Sequence, residues 1–97
     1  MASKLATRLL IRGRVQGVGY RAWFVAEAER RRLAGWVRNR RDGSVEALIL
    51  APAESLRELI EASRRGPRAA MVSEVAVSEE SVPDGEAGPG FDVWPTA

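Results

Sequence analysis

The pattern of apolar and polar positions in the first part of the chain predicts a strand followed by a helix. Residues 7 to 12 are predicted to form a strand, centred on the apolar residues Leu9 to Ile11. From Tyr20 onward, apolar residues recur every fourth position, at Phe24 and Ala28, with charged residues between them. This spacing is typical of a helix with one buried side.

The middle of the chain is predicted to form a β-hairpin and a second helix. Residues 35 to 40 and 44 to 50 alternate as strands do, and Arg41-Asp42-Gly43 between them is typical of a hairpin turn. Pro52 is placed to open the second helix at its first turn. Gly66-Pro67 is expected to end it.

The remaining residues complete a recognisable order of elements. Residues 71 to 79 alternate as a strand, 83 to 90 read as a loop, and 91 to 94 read as a short closing strand. The order β-α-β-β-α-β with an extra strand predicts an α+β fold, the ferredoxin-like split βαβ sandwich. We expect an antiparallel sheet of four to five strands with two helices on one face, in a single domain over residues 1–97.

The amino-acid composition excludes several kinds of catalytic and metal-binding site. The chain has 97 residues, of which 45% are hydrophobic, and it contains neither cysteine nor histidine. Thiolate nucleophiles, thiolate metal sites and histidine general bases are therefore excluded. No apolar run approaches the ~20 residues that a membrane span requires, and the N-terminus has no signal-peptide pattern. We expect a cytoplasmic protein that does not contact membranes.

Arginine supplies nearly all the positive charge. Fifteen Lys plus Arg face thirteen Asp plus Glu, and Lys4 is the single lysine. The planar fork of arginine suits carboxylate and phosphate groups. A small anionic ligand and a nucleic acid are both open possibilities on this evidence, as is an ordinary solvated surface.

The stretch GRVQGVGYR (13 to 21) lies between the first strand and the first helix. Its glycines would allow several backbone N–H groups to converge, next to the free N–H groups and positive dipole of the helix N-terminus. Such a cradle binds a tetrahedral anion, and Arg21 is close enough to clamp the same anion. The alternative is that the glycines merely form a tight connection.

Two familiar phosphate-binding motifs do not fit this stretch. The P-loop pattern fails because no lysine follows a glycine. Residues 17 to 22 match G-x-G-x-x-A, but the next strand runs directly into a hairpin and the chain is too short for two mononucleotide-binding halves. Asp42, the candidate ribose-binding acid, is better explained by the turn.

Two segments together resemble the acylphosphatase family. GRVQGVGYR (13 to 21) followed by GWVRNRRDGSVE (35 to 46) is similar to the signature pair of that family. The resemblance continues through RRGPRAAMVSEVAV (64 to 77) and GFDV (90 to 93), so it covers nearly the whole chain. It implies a ferredoxin-like sandwich that hydrolyses the mixed anhydride of a carboxylic acid and phosphate.

The resemblance also implies roles for individual residues. Arg21 matches the phosphate-binding arginine of the family, and Asn39 matches its water-orienting asparagine. The substrate phosphate would be held by the loop of Val15, Gln16, Gly17, Val18, Gly19 and Tyr20. The implied enzyme is a metal-independent monomer without a cofactor. Its substrate is a small acyl phosphate, and inorganic phosphate is its product and a competitive inhibitor.

The residues are compatible with this chemistry on independent grounds. Asn39 shares a strand face with Val37, so an amide lies on the side that should be apolar. A buried amide needs hydrogen-bond partners, and these could be a positioned water or a loop backbone. The carboxylate of an acyl phosphate leaves easily, because carboxylic acids have pKa values near ~4. A protein without histidine can therefore catalyse the reaction by stabilising charge and aiming water.

One departure from the family pattern concerns the end of the first helix. The family usually has leucine-glycine where this chain has Arg31-Arg32. Arg31 falls on the apolar side of the helix, so we expect its stem to pack and its head to reach water. A left-handed conformation at Arg32 would cost about 1 kcal/mol.

Two non-catalytic readings remain as alternatives. Many ferredoxin-like domains bind RNA on the open sheet face through aromatic residues, but the strands here offer mainly aliphatic side chains and only a weak basic patch at Arg38, Arg40 and Arg41. We do not expect nucleic acid as a partner. A phosphate-binding module without catalysis is the second alternative, and the presence of both Arg21 and Asn39 argues against it.

Overall fold

A computed structural model describes residues 3–50, 53–83 and 90–97. The described residues form two helices and five strands, in the order that the apolar pattern predicts. They are β1 (Ser3–Arg14), α1 (Tyr20–Arg30), β2 (Ala34–Asn39), β3 (Val45–Leu50), α2 (Ala53–Arg65), β4 (Met71–Pro83) and β5 (Phe91–Val93). The helix start at Tyr20 and the helix end before Gly66 are confirmed. The predicted role of Pro52 and most of the predicted loop 83–90 lie outside the described residues.

The five strands form one sheet in the order β4-β1-β3-β2-β5. β1 pairs antiparallel with both β3 and β4, and β2 pairs antiparallel with β3. These four strands and the two helices confirm the ferredoxin-like α+β fold. β5 instead runs parallel to β2, which makes the sheet mixed. β4 and β5 lie at opposite edges of the sheet and run in opposite directions, so β5 has the same direction as its neighbour β2.

β1 and β4 are longer than the apolar pattern predicted. Their pairing runs from Ser3 opposite Pro83 to Arg14 opposite Met71, with an irregularity between Arg12 and Gly13. Apolar alternation marks only the part of a strand that faces the core, whereas backbone pairing continues beyond it. The extension carries β1 directly to the glycine-rich loop.

Both helices pack on the same face of the sheet. Tyr20, Phe24 and Ala28 from α1 and Leu59 from α2 belong to one buried cluster with strand residues such as Val37. The strand residues of this cluster are Leu9, Ile11, Val37, Val45, Ala47, Ile49, Val75 and Phe91. The main core therefore lies between the helices and the sheet, and the N-terminus of α1 is fixed against it.

On the opposite, open face of the sheet, side chains of the described residues pack on one another. Trp36 stacks on Trp94 with ring centroids 4.2 Å apart, and the guanidinium of Arg38 lies 4.8 Å from the Trp36 ring centre. The Glu46 carboxylate, only 5% exposed, accepts hydrogen bonds from Arg8 and from Arg38, the latter at 2.8 Å. These ion pairs and the cation–π contact cover a small second apolar cluster.

Neither α1 nor α2 has the length and apolar character that a membrane-crossing helix requires, among the residues that the structure describes.

Candidate active site

The loop between β1 and α1 owes its shape to two glycines in the left-handed region. Gly17 has φ +75° and Gly19 has φ +80°, values that side chains with a Cβ adopt only with strain. Gly19 caps α1 without any side-chain hydrogen bond. The sequence therefore leaves the first turn of α1 open at the point where a capping side chain usually lies.

The backbone N–H groups of this loop and helix start are available to a ligand. The first helical hydrogen bond is donated by Trp23 N–H to the Gly19 carbonyl, at 3.0 Å. Across the described stretches 3–50, 53–83 and 90–97, no acceptor faces the N–H groups of residues 16 to 22. Free N–H groups at the positive end of a helix dipole attract an anion.

A cleft of about 330 Å³ opens beside these N–H groups. Its lining combines backbone from the glycine-rich loop with side chains from α1 and from two strands. The lining residues are Val15, Gly17, Gly19, Tyr20, Arg21, Ala22, Asn39 and Val93. The fold thus brings Arg21 and Asn39, eighteen positions apart in sequence, to one cleft with the loop.

Asn39 occupies the last position of β2, opposite Val45 of β3. Its backbone carbonyl accepts a hydrogen bond of 3.1 Å from the N–H of Ala97. Its side-chain Oδ1 is buried, and no donor reaches it within the described part of the chain. A buried carbonyl oxygen without a donor is energetically costly, so this atom is suited to accept a hydrogen bond from a water in the cleft.

Tyr20 contributes its backbone to the cleft but directs its hydroxyl away from it. The hydroxyl donates a 2.6 Å hydrogen bond to the carbonyl of Ser63 on α2. Burial raises the pKa of Tyr20 well above its ordinary value, against the opposite effect of that hydrogen bond. The Tyr20 ring also packs against Gly66, where a Cβ would come within 2.8 Å of it. The side chain therefore anchors the start of α1 and stays neutral.

Two of the predicted loop residues do not line the cleft with their side chains. The Gln16 amide group donates to the carbonyls of Arg40 and Ser44, at 2.7 and 2.9 Å. Val18 is partly buried against the main core. Neither Gln16 nor Val18 is among the residues that line the cleft.

Two cleft residues were not identified from the sequence. Ala22 is the third residue of α1, so its N–H has no acceptor within the helix. The predicted helix start at Tyr20 was enough to infer this from the sequence. Val93 lies in the predicted closing strand, but its contact with the cleft depends on β5 pairing beside β2. Nothing local to residues 91 to 94 specifies that pairing.

No group of three or more Asp or Glu side chains is arranged to hold a metal ion among the described residues. The cleft lining contains Arg21 and residues of the glycine-rich loop but no Asp or Glu.

Comparison with known proteins decides the family. The family model described as Acylphosphatase matches residues 7–93, which include most of β1, both helices, the cleft residues and β5. The chain belongs to the acylphosphatase family. The resemblance seen in the two sequence segments is thereby confirmed.

Individual acylphosphatases are similar over nearly their full length. An acylphosphatase of Azoarcus sp. (strain BH72) is 54% identical over 95 residues, which are 97% of this chain and 94% of that protein. The crystal structure of acylphosphatase from Bacillus subtilis superposes with a TM-score of 0.85 at 39% identity, covering 93% of this chain and 98% of that one. The acylphosphatase structure from Coxiella burnetii gives a TM-score of 0.83 at 33% identity, covering 95% and 93%.

Proposed function

We propose that the chain hydrolyses acyl phosphates to a carboxylate and inorganic phosphate. The loop of residues 15–20 and Arg21 hold the phosphoryl group, and Asn39 orients the attacking water. Membership of the acylphosphatase family supports the reaction. The observation that carries the residue roles is that the glycine-rich loop, Arg21 and Asn39 line the same cleft.

The phosphoryl group is bound by donors that belong to the protein itself. Free N–H groups of the loop and the first turn of α1 point to a ligand at the helix N-terminus. Arg21 adds a planar fork that donates two hydrogen bonds to phosphate oxygens. Charge that develops on the phosphoryl oxygens is stabilised by the same donors, which need no reorganisation during the reaction.

The attacking water donates a hydrogen bond to Oδ1 of Asn39. This oxygen is buried and has no donor within the described residues, so water in the cleft would satisfy it. A water held in this way uses one O–H for Asn39 and keeps its oxygen lone pairs for attack on phosphorus, in line with the departing carboxylate.

The reaction needs no general acid. A bond forms between the water oxygen and phosphorus, and the bond from phosphorus to the acyl oxygen breaks with its electron pair. The carboxylate that leaves is stable at neutral pH, because its conjugate acid has a pKa near ~4. The water proton passes to a phosphoryl oxygen held in the loop, which is consistent with a chain that contains no histidine.

The setting that we propose is a cytoplasmic, monomeric enzyme formed by a single domain over residues 1–97. It uses no cofactor or metal, and inorganic phosphate competes with the substrate.

The alternative of RNA binding on the open sheet face is disfavoured by the arrangement of that face. Trp36 is only 4% exposed and stacks on Trp94 beneath Arg38. Arg38 in turn donates to the buried carboxylate of Glu46. A base would have to displace these contacts before it could stack on the indole.

The proposed reaction is tested by phosphate release from benzoyl phosphate, with inorganic phosphate added in increasing amounts. We expect enzyme-dependent release and competitive inhibition by phosphate. Release no faster than the spontaneous hydrolysis would contradict the proposal. Noncompetitive inhibition would place phosphate at a second site and would contradict the role of the loop.

A further inference from the structure

The glycine-rich loop has little support of its own. Between the end of β1 and the start of α1, residues 16 to 19 donate no backbone hydrogen bond to any other described residue. Gly17 and Gly19 supply no side chain for packing, and only Val15 and Val18 contact the main core. The core contacts of Val15 and Val18 hold the loop on the α1 side of the cleft, so its distance from the β2–β3 side depends on a further contact.

Gln16 supplies that contact across the cleft edge. Its Nε2 group donates to the Arg40 carbonyl at 2.7 Å and to the Ser44 carbonyl at 2.9 Å. Both acceptors are carbonyl oxygens, so only the NH₂ end of the amide can make these bonds. The contact therefore joins the loop to the turn between β2 and β3.

This turn is rigid and begins directly after Asn39. Arg40 N–H donates to the Ser44 carbonyl at 2.8 Å, and Gly43 N–H donates to the Arg40 carbonyl at 3.1 Å. The Asp42 carboxylate accepts hydrogen bonds from both the N–H and the hydroxyl of Ser44. Gln16 thus binds to a fixed frame whose first residue is the neighbour of Asn39.

We propose that Gln16 is a positioning residue that sets the phosphate-binding loop at the correct distance from the water held by Asn39. The inference rests on the proposed function. Gln16 does not touch the substrate through its side chain, and it acts on turnover through the relative placement of loop and water. A misplacement of about 1 Å in such a geometry can cost ~10²-fold in rate.

The test replaces Gln16 with methionine, which keeps the length of the side chain and its neutral charge but removes the NH₂ donor. We expect kcat for benzoyl phosphate to fall at least ~10-fold, because the loop moves relative to Asn39. KM and the inhibition constant of inorganic phosphate should stay within about threefold, because the loop N–H groups and Arg21 remain. An unchanged kcat would overturn the proposal, and so would a loss of phosphate affinity as large as the loss of kcat.

Leu48→Val serves as a matched control for stability. Leu48 is buried in the open-face cluster, on the opposite side of the sheet from the cleft. Its substitution lowers stability without touching the loop or the turn, so kcat well below the melting temperature should equal that of the wild type. If Leu48→Val lost kcat as Gln16→Met does, the effect of Gln16 would be general destabilisation and the proposal would fail.

A double-mutant cycle with Asn39→Ala separates positioning from a merely structural role. If Gln16 acts through the water that Asn39 holds, Gln16→Met should cost less than about threefold in kcat once Asn39 is absent. A further ~10-fold loss would show independent action and overturn the proposal. Should Gln16→Met fail to fold, Gln16→Asn keeps a polar amide that is too short to reach both carbonyls, and the same outcomes apply.

The cycle also distinguishes failure of this inference from failure of the proposed function. If Asn39→Ala loses turnover while Gln16→Met does not, only the positioning role is wrong. If Asn39→Ala keeps wild-type kcat, the water-orienting role is wrong and the positioning role is wrong with it.

Discussion

Arg32 ends the first helix in a conformation that usually belongs to glycine. Its φ is +59°, the only positive value at a non-glycine residue in the described part of the chain. Arg32 N–H donates to the Glu29 carbonyl and Leu33 N–H donates to the Ala28 carbonyl, both at 3.0 Å. This is the Schellman pattern of helix termination, in which the left-handed residue favours glycine.

The first prediction concerns this position. Arg32→Gly should raise the free energy of unfolding by about 1 kcal/mol, because glycine adopts the left-handed conformation without a Cβ clash. Urea denaturation measures the change. As a control, Glu29→Gly at an exposed position inside α1 should lower stability by a similar amount. Equal effects of the two glycines, in either direction, would contradict the account of the helix end.

The sequence predicted that the Arg31 side chain would be largely buried, but it did not predict its carboxylate partners. Helical spacing placed it beside Ala28 on the buried side, and its side chain is indeed only 17% exposed. Its head was expected in water, but it binds the carboxylate of Glu27 at 2.7 Å and lies 3.5 Å from that of Glu58 on α2. Glu27 has a lowered pKa chiefly because of this hydrogen bond from Arg31. Periodicity within one helix cannot indicate a partner on another helix.

At the scale of elements, the glycine-rich loop and the β2–β3 turn meet at the cleft edge through Gln16. Both contain glycines with positive φ, Gly17 at +75° and Gly43 at +96°, and a Cβ at either position would enter open space. The two glycines therefore share the same conformational constraint, and they differ in that only Gly17 lines the cleft.

The second prediction compares alanine at these two positions. Each substitution should cost about 1 kcal/mol of stability through backbone strain. Gly17→Ala should also weaken inhibition by inorganic phosphate ~10-fold or more, because the loop N–H groups turn away from the anion. Gly43→Ala should leave that inhibition within twofold. Inhibition constants from steady-state kinetics decide the matter, and an equal loss in both variants would contradict the phosphate-binding role of the loop.

The elements themselves were predictable because each follows from short-range patterns. The apolar spacing from Tyr20, the Asp-Gly turn and the Gly66 stop lie within a few residues of the structures that they determine. The parallel pairing of β5 and the Gln16 contact depend on segments far apart in sequence. The family resemblance suggested Arg21 and Asn39, but it did not indicate how the loop is held beside Asn39.

In the molecule as a whole, charged side chains are arranged differently on the two faces of the sheet. On the open face, the positive charges of Arg8 and Arg38 are paired with the buried Glu46. On the cleft side, Arg21 stands among backbone N–H groups without a carboxylate in the lining. The cleft lining therefore carries the positive charge of Arg21 and no negative side-chain charge.

The third prediction follows from this arrangement. In the proposed mechanism the protein itself supplies positive charge to the phosphoryl group, so hydrolysis of benzoyl phosphate should be unchanged in excess chelator. Initial rates with and without the chelator provide the measurement. Abolition of activity that is restored by added magnesium would show that a metal supplies the charge, and the proposed mechanism would be wrong.

The fourth prediction separates Arg21 from Asn39, the two residues on which the mechanism depends. In the proposed mechanism Arg21 holds the phosphate in both ground and transition states, so Arg21→Lys should weaken phosphate binding and also slow turnover severely. The proposed role of Asn39 is to orient water, so Asn39→Ala should leave phosphate affinity within a few-fold while kcat falls ~10²-fold or more. Both variants should remain folded, because neither opens a large cavity in the core.

The inhibition constant of inorganic phosphate in these two variants, measured beside the wild type, tests the assignment of roles most directly. The account predicts a large increase for Arg21→Lys and a near-normal value for Asn39→Ala, with turnover lost in both. If Asn39→Ala loses phosphate affinity as badly as Arg21→Lys, Asn39 binds substrate and the water-orienting role is contradicted.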